Sequence, residues 1–283
     1  MTLASTSTHR DVTDTGGRAP AGWLGSRFPT QVRVLTSRAI RAELSDRRVV
    51  VIRMLQPIVF LLVLSQVFGS MVDRSILPAG ISYLDYLLPA ILVTSGVSSA
   101  AGAGAVFSRD MENGMMTRLR SLPISMSSLL VARGLADLAR TAAQLVVLVG
   151  ASVAFSGFAP AGGVLGVACA VGLAALVTWS LIWVFLALAA WLRSMEAVQG
   201  ISAMVTFPLM FASSAFAPLD GLPAWLRAVA VVNPLTYAVD ASRALALGLP
   251  AGREVAAALA ASLAVTVLAA CAAVRGLRRP PVR

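Results

Sequence analysis

Six long apolar runs, separated by short polar segments, constrain this chain more than any other feature. They lie at about residues 49–69, 84–107, 128–156, 163–191, 198–217 and 254–274. A helix that crosses the hydrocarbon core of a bilayer needs roughly 20 predominantly apolar residues. With 58% hydrophobic and only 13% charged residues among 283, the chain is too apolar for a soluble domain of this size. The sequence therefore predicts an all-α membrane protein with six transmembrane helices.

The distribution of arginine predicts the orientation of these helices. The basic residues are all arginines, and they cluster at the borders of the apolar runs. If both termini lie inside, the outer segments carry only Arg74, Arg227, Arg243 and Arg253. Cytoplasmic loops of membrane proteins carry an excess of basic residues. We therefore expect a multi-pass protein of the bacterial plasma membrane with both termini in the cytoplasm, and we attribute the basic charge to topology rather than to nucleic-acid binding.

The two ends of the chain are polar. Residues 1–28 show no periodicity and no signal-peptide pattern, which predicts a disordered cytoplasmic tail. Residues 276–283 are predicted to form a basic cytoplasmic tail. Residues 29–48 carry apolar side chains on one side and arginines on much of the rest, which favours an amphipathic helix in the cytoplasmic interface. An ordinary basic flank of the first span is the alternative interpretation.

The segment Arg109–Pro123 is the one sizeable candidate for a structured cytoplasmic element between two spans. Its acids Asp110 and Glu112 come first and Arg118 and Arg120 come last, which is the order that a helix dipole favours. Its methionines and leucines recur at helical spacing, and a proline closes it. Exposed methionines suit a partner's groove, because thioether side chains adapt to irregular surfaces. We interpret the segment as a helix on which a partner acts; a loop lying on the membrane domain is the alternative.

Two further patterns predict helix contacts. In the second run, small residues recur every four positions, so neighbouring helices can approach closely, either within the chain or across a dimer. The acid Asp137 and Arg140 lie three residues apart in the third run and can pair on one helix face. The small residues are Ser95, Ser99 and Ala103, then Gly96, Ala100 and Gly104, and then Ser98 and Gly102.

The outer segment 218–250 is predicted to contain short re-entrant helices rather than a span. Asn233 is a good helix cap and Pro234 suits the first helical position, so a helix should begin there. Asp240 and Arg243 would then lie three residues apart on one face. Pro223 begins another short helix.

The inventory of reactive residues argues against chemistry within this chain. No GxxxxGK[ST] phosphate loop occurs, so ATP cannot be hydrolysed by that route. The last three runs have no charge in their interiors, which disfavours an ion-coupled carrier. His9 lies in the tail, and Cys169 and Cys271 are predicted to be small packed residues. We therefore predict neither a metal site nor catalytic residues, and we expect energy to enter from another subunit.

Several motifs occur in a fixed order along the chain, and together they resemble those of the ABC-2 type exporter permeases, in particular the daunorubicin-resistance group. The resemblance covers about residues 30–275. One departure is Met115-Met116, where the family commonly has Thr-Leu. The motifs are Gln56-Pro57…Phe60-Leu-Leu, Tyr83-Leu-Asp-Tyr-Leu-Leu-Pro-Ala-Ile-Leu-Val93, Glu112-Asn-Gly114…Arg118-Leu-Arg-Ser-Leu-Pro123, Phe207-Pro-Leu…Phe211…Ser214…Phe216…Pro218 and Asn233-Pro-Leu-Thr…Arg243.

The resemblance implies a homodimer or heterodimer of six-span permeases, with two ATP-binding subunits beneath it that hold the ATP and magnesium. The N-terminal helix would contact such a subunit, and cargo would move along the dimer interface lined by spans 1, 2 and 5. The family's coupling helix docks on the ATP-binding subunit. Carried over to this chain, that role falls on Glu112, Gly114, Met115, Arg118, Arg120 and Pro123.

The predicted function is therefore the membrane subunit of an ATP-driven exporter of a hydrophobic drug-like or lipid-like cargo. Polysaccharide is a less favoured cargo, because the chain has only three tyrosines and five tryptophans. A passive channel or a structural scaffold without an ATPase is the alternative from a different class. The candidate pathway residues, for which plain lipid-facing or core packing is the alternative, are Gln56, Pro57, Phe60, Phe207, Pro208 and Phe211.

Overall fold

The computed structural model describes residues 27–69, 82–113, 125–156, 161–215 and 223–279, and these residues form helices and no strand. Several predicted segments lie outside the described residues: residues 1–26 of the predicted tail 1–28, the last four residues of the basic tail, and Gly114, Met115, Arg118, Arg120 and Pro123 of the coupling segment. The helices are α1 (Phe28–Leu44), α2 (Arg47–Gly69), α3 (Tyr83–Glu112), α4 (Met126–Ser156), α5 (Gly163–Leu192), α6 (Met195–Phe211), α7 (Ala224–Val232), α8 (Pro234–Ala246) and α9 (Gly252–Arg278).

Five of these helices are long and apolar enough to cross a membrane: α2, α3, α4, α5 and α9. They correspond to five of the six predicted spans. The predicted span 198–217 corresponds to α6, which has 17 residues and ends at Phe211. Its end is fixed by Asn233, whose side-chain amide donates to the carbonyl oxygens of Leu209 at 2.7 Å and Ala212 at 2.6 Å. These carbonyl groups are thus satisfied without another helical turn.

The helices α3 and α5 form the centre of the bundle. The sequence of α5 contains no charged residue, and many of its side chains are buried. It contacts α3, α4, α6, α8 and α9, while α3 also contacts α2, α6 and α8. In contrast, α2 and α9 are largely exposed along their spanning windows. Cys169 and Cys271 are also exposed, so the prediction that they are packed was wrong. Apolar side chains on these outer faces suit a surrounding of lipid rather than water.

Glycines bring the backbones of α3 and α5 together. A Cβ atom at Gly104 would lie 2.8 Å from the carbonyl oxygen of Phe185, and one at Gly96 would overlap the hydroxyl of Thr178. The predicted close approach of the second span is therefore confirmed within the chain. Ser98 and Gly102 face away from this contact and are exposed. A contact across a dimer, the other interpretation of the small residues, would involve this exposed face of α3.

Two predicted helix boundaries were wrong, and each for a local reason. The N-terminal helix ends at Leu44 rather than at residue 48, because the Asp46 carboxylate accepts the backbone N–H groups of Arg48 and Val49 and starts α2 there. The acids of the coupling segment do not open a helix. Asp110 and Glu112 lie in the last turn of α3, which continues past the apolar run.

The helix starts in the outer segment were predicted correctly. The side chain of Asn233 accepts the N–H of Leu235 at 2.9 Å, and Pro234 occupies the first turn of α8. Pro223 precedes α7. Both pairings expected at a spacing of three are also present, at 3.2 Å between Arg140 and Asp137 and at 3.1 Å between Arg243 and Asp240.

The glycine contact gives a first prediction. Gly104→Ala should lower the unfolding temperature of the purified protein in detergent, because the added methyl group overpacks a backbone contact, at a typical cost of about 1–3 kcal/mol. The matched control is Gly102→Ala on the same helix, where nothing lies within 4 Å of the added atom. That variant should be unchanged or slightly more stable, since alanine is the better helix former. Equal unfolding temperatures for the two variants would contradict the close approach.

Candidate functional site at the basic end of the bundle

One end of the bundle, which we call the basic end, collects α1, the last turns of α3, α5 and α9, and the first turns of α4 and α6. The side chain of Gln31 on α1 accepts hydrogen bonds from the start of α4, at 3.0 Å from both the Ser125 amide and the Ser128 hydroxyl. Glu112 accepts the N–H of Met195 at 2.7 Å. Arg193 donates to the carbonyl oxygen of Gly276 at 3.1 Å. These contacts bring segments that are distant in sequence together at the basic end of the bundle.

Five charged side chains from three helices form a cluster at this end. Arg133 on α4 lies 2.8 Å from Glu43 on α1 and 2.9 Å from Asp137, and its other terminal nitrogen lies 3.8 Å from Asp110 on α3. Arg140 pairs with Asp137 at 3.2 Å and approaches the second Glu43 oxygen at 3.5 Å. The carboxylate of Glu43 therefore bridges two arginines of α4.

The centre of the charge cluster is shielded from its surroundings. The Asp137 side chain has no exposed surface, and that of Arg133 is 10% exposed. Arg140 also donates to the Ser99 hydroxyl at 3.1 Å, and this hydroxyl is 2.6 Å from that of Thr141. Buried charges are tolerated when they are paired and their remaining hydrogen-bonding groups are satisfied. The cluster thus fixes the position of α1 against α3 and α4.

The described part of the predicted coupling segment is attached to two helices. Asp110 lies near Arg133 of α4, and Glu112 accepts the first backbone N–H of α6. A carboxylate is unfavourable at a helix C-terminus and favourable at an N-terminus. Glu112 therefore sits at the unfavourable end of its own helix and at the favourable end of α6. The segment 109–112 is linked to both α4 and α6.

A second polar group closes the opposite end of the bundle. The guanidinium of Arg243 on α8 donates to the carbonyl oxygens of Tyr86 at 3.2 Å and Ser214 at 2.9 Å. Its central carbon also lies 3.7 Å from the centre of the Tyr86 ring. The Asp240 carboxylate accepts from Ser214 at 2.7 Å and pairs with Arg243. Burial lowers the pKa of Arg243, while Tyr86 and Asp240 oppose that shift; arginine nonetheless stays charged.

The candidate pathway residues lie on two helices that both contact α3. On α2, Gln56 and Phe60 are exposed while Pro57 is buried. On α6, Phe207 and Phe211 are more than half exposed, with their rings stacked at 6.4 Å. The structure therefore brings the α6 aromatics together on an outward face, with Pro208, also exposed, between them in sequence.

Sequence reasoning missed Glu43 and all three acidic partners of Arg133, which are Glu43, Asp110 and Asp137. A signal was present, since Glu43 is the one acid in the helix Phe28–Leu44, which otherwise carries arginines. Arg133 and Asp137 also have the i,i+4 spacing of a helical ion pair. The contact between Glu43 and Arg133 spans 90 residues, however, and no local pattern could have located it. Within the described residues, no group of three or more His, Cys, Asp or Glu side chains could hold a metal ion.

The fold and the site define a class before any comparison is made. An all-helical bundle with five helices long and apolar enough to cross a bilayer is a multi-pass membrane protein. Comparison with known proteins then specifies the family. The family model described as ABC-2 type transporter matches residues 30–247, so the chain belongs to that family.

Individual relatives carry related names. The daunorubicin resistance ABC transporter permease protein DrrB1 of Streptomyces coeruleorubidus is 31% identical over 194 residues, which are 69% of this chain and 67% of the relative. The probable doxorubicin resistance ABC transporter permease protein DrrC of Mycobacterium tuberculosis is 25% identical over 87% of each chain. A putative transport permease of Pyropia yezoensis is 25% identical over 76% of this chain and 73% of its own. The chain is accordingly a permease, the membrane subunit of an ABC exporter.

The charge cluster gives a second prediction. Asp137→Asn leaves Arg133 and Arg140 without their shared buried partner, and breaking a buried pair typically costs about 3–5 kcal/mol. We expect a clear drop in the unfolding temperature of the purified protein in detergent. The matched control is Glu254→Gln, a similar loss of charge in the first turn of α9, at a residue that forms no salt bridge with the described part of the chain. If both variants unfold at the same temperature, the cluster does not stabilise the basic end.

Proposed function

We propose that this permease exports a hydrophobic, drug-like or lipid-like molecule from a bacterial cell, driven by a separate ATP-binding subunit that docks on the basic end. The observation that carries the proposal is the attachment of segment 109–112 to α4 and α6. A partner that pushes on the coupling segment would thereby move two helices of the bundle at once. The drug-resistance names of the bacterial relatives support the class of cargo.

The coupling role extends to the rest of the segment 109–123. Docking would involve Glu112 together with Gly114, Met115, Arg118, Arg120 and Pro123, and α1 would provide a second contact on the same face. ATP binding would close the two partner subunits and favour one arrangement of a permease dimer, and hydrolysis would favour the other. The ATP and its magnesium ion would be held by the partner, in line with the lack of a phosphate loop in this chain.

A six-span topology with both termini in the cytoplasm accounts best for the contacts of α6. Its first residue meets Glu112 at the end of α3, whereas Ser214, just beyond α6, meets Arg243, which contacts Tyr86 near the start of α3. The segment 195–214 thus reaches from one end of a spanning helix to the other. The helix α6 has only 17 residues, but the residues that follow it, 212–214, extend the segment far enough to complete a crossing. The helices α7 and α8 would then lie in the outer interface as re-entrant elements.

The arginines agree with this orientation. Arg109, Arg193 and Arg278 lie at the basic end with those of α1, while Arg227 and Arg253 belong to helices at the opposite end. Loops with excess arginine face the cytoplasm. We therefore place α1 in the cytoplasmic interface, where its amphipathic sequence suits the boundary between headgroups and acyl chains.

Cargo would pass between two permease copies, along a surface that includes α2, α6 and the exposed face of α3. Phe60, Phe207 and Phe211 offer aromatic contact to an apolar molecule, and Gln56 offers one polar group. Pro57 and Pro208 each remove a backbone hydrogen bond within a helix, which permits local bending.

The competing function is a passive channel or a membrane scaffold that works without an ATPase. Co-purification and ATP depletion separate the two functions. An exporter subunit should retain a nucleotide-binding protein when it is purified from its own host, and cargo efflux should stop when cellular ATP is depleted. Efflux that ignores ATP depletion would favour the channel.

Topology gives a third prediction. In a background where both native cysteines are replaced by alanine, Arg227→Cys should react with a membrane-impermeant maleimide on intact cells. Ser45→Cys and Arg278→Cys should react only after the membrane is permeabilised, because six crossings put them both inside. Labelling of either Ser45→Cys or Arg278→Cys on intact cells would show an odd number of crossings or the reverse orientation.

A fourth prediction tests coupling. Glu112→Arg places a cation at the positive start of α6 and should abolish drug export at unchanged expression and dimerisation, measured by efflux and by size-exclusion chromatography. Glu112→Gln keeps a carbonyl oxygen for the Met195 N–H and should retain most export. Ser194→Ala removes a different hydrogen bond at the start of α6, that of the Ala197 N–H, and controls for simple loosening of the helix. Full drug resistance with Glu112→Arg would refute the coupling role.

A further inference from the structure

A crevice of about 180 Å³ lies at the basic end, between α1, the first turns of α2 and the middle of α4. Its walls are almost entirely aliphatic. On α4 the facing residues include Ala136, Ala139 and Ala143, whose small side chains leave room. Leu44 and Met54 close it from α1 and α2. The break between α1 and α2 at residues 45–46 turns the chain here, so neither helix fills the space.

One arginine in the lining of this crevice, Arg53, has no counter-ion among the described residues. Arg53 lies inside the first spanning helix, six residues after Arg47, which is roughly 9 Å along the helix axis. It is half-buried, and it forms no salt bridge with any residue that the structure describes. Charged residues at membrane depth are paired or reach toward the headgroups. Arg53 therefore requires an anion or water that the described chain does not supply.

The other charged groups around the crevice leave a positive excess. Arg140 also lines the crevice, but it is already paired with Asp137 and Glu43, so the excess comes from Arg53. The nearby acids are already engaged, because Glu43 bridges Arg133 and Arg140, and Asp46 accepts two backbone N–H groups of α2. Arg47 and Arg48 are exposed and directly precede Val49 and Val50, which line the crevice.

A second crevice, on the other side of α1, differs from the first in its balance of charges. It is larger, at about 320 Å³, and lies between α1, the end of α3 and the start of α4. Its lining holds Arg38 and Arg133 together with Glu43 and Asp110, so the charges balance. Size alone would favour this crevice for a ligand. Charge selects the smaller one for an anionic ligand.

We propose that the crevice between α1, α2 and α4 binds one anionic phospholipid, with an acyl chain against the alanines of α4 and the phosphate at Arg53. Arg47 and Arg48 attract the headgroup at the mouth. Basic pockets between spanning helices on the cytoplasmic side are suited to anionic headgroups. The bound lipid fills the space beside α1, a helix that has no fully buried residue of its own. The lipid would therefore help to hold α1 against the bundle, whether or not the permease exports a drug.

Native mass spectrometry of the full-length permease tests this site. The probes are dioleoyl phosphatidylglycerol and dioleoyl phosphatidylcholine, which differ in headgroup charge but not in chains. The wild-type protein should retain one phosphatidylglycerol about fivefold or more in preference to phosphatidylcholine, since one arginine near an anionic surface contributes about that factor. Arg53→Gln should lose about that factor. Arg275→Gln, an exposed arginine on α9 away from the crevice, should change the preference by less than about twofold.

A second variant tests the contribution of the apolar space separately from that of the arginine charge. Ala139→Trp fills the aliphatic space and leaves every arginine in the sequence, so it should abolish retention of phosphatidylglycerol, while Ala260→Trp on the exposed side of α9 should not. Lipid should also raise the unfolding temperature of the wild type but not that of Ala139→Trp, because a ligand stabilises only the state that binds it. Equal retention of the two lipids by the wild type, or equal losses in Arg53→Gln and Arg275→Gln, would overturn the proposal. If Arg53→Gln yields no folded protein, wild-type retention by Ala139→Trp would overturn it instead.

Discussion

The complete burial of one carboxylate determines how the basic end is built. Asp137 has no exposed surface, so both Arg133 and Arg140 are needed to neutralise and hydrogen-bond it. Two arginines around one acid leave a positive charge, and Glu43 of α1 supplies the second carboxylate that both of them contact. Asp110 adds a more distant third. The position of α1 on the bundle thus follows from the requirement to pair buried charges more than from deep burial of apolar surface, since apolar residues of α1 such as Leu35 and Ala39 are only partly buried.

The centre and the periphery of the bundle are held by different forces. Between α3 and α5 the contact depends on glycines at positions 96 and 104, where backbone meets side chain or backbone directly. Such contacts have little freedom to slide, because close-packed interiors do not deform continuously. The helices α2 and α6 instead expose long apolar faces and meet the core through fewer buried residues. A conformational change is more easily accommodated by these outer helices moving against a fixed α3–α5 pair than by separation of that pair.

Local sequence patterns correctly predicted the features that depend on residues close together in the chain. The apolar runs located five spanning helices, Asn233 and Pro234 marked the start of α8, and the spacing of three identified the pairs Asp137–Arg140 and Asp240–Arg243. The dipole argument failed at Asp110 and Glu112, because α3 runs on for another turn beyond its apolar stretch and turns the expected helix start into a helix end. The stabilising partners of these acids lie on α4 and α6, at separations that no periodicity encodes. The three-way contact of Arg133 was missed for the same reason.

Asp110 and Glu112 lie in the last turn of α3, where a carboxylate is unfavourable. A carboxylate in the last turn of a helix opposes the dipole, at a cost of about 0.3–1 kcal/mol when exposed. Two of them occur within three residues at the end of α3, and each finds a cationic or N–H partner on another helix. The end of α3 is consequently stable only while α4 and α6 remain in place, and a displacement of the chain beyond Asn113 would be felt at both. Since α6 also carries the stacked Phe207 and Phe211, the contact of Glu112 with Met195 connects the segment 109–112 to an exposed aromatic surface of the bundle.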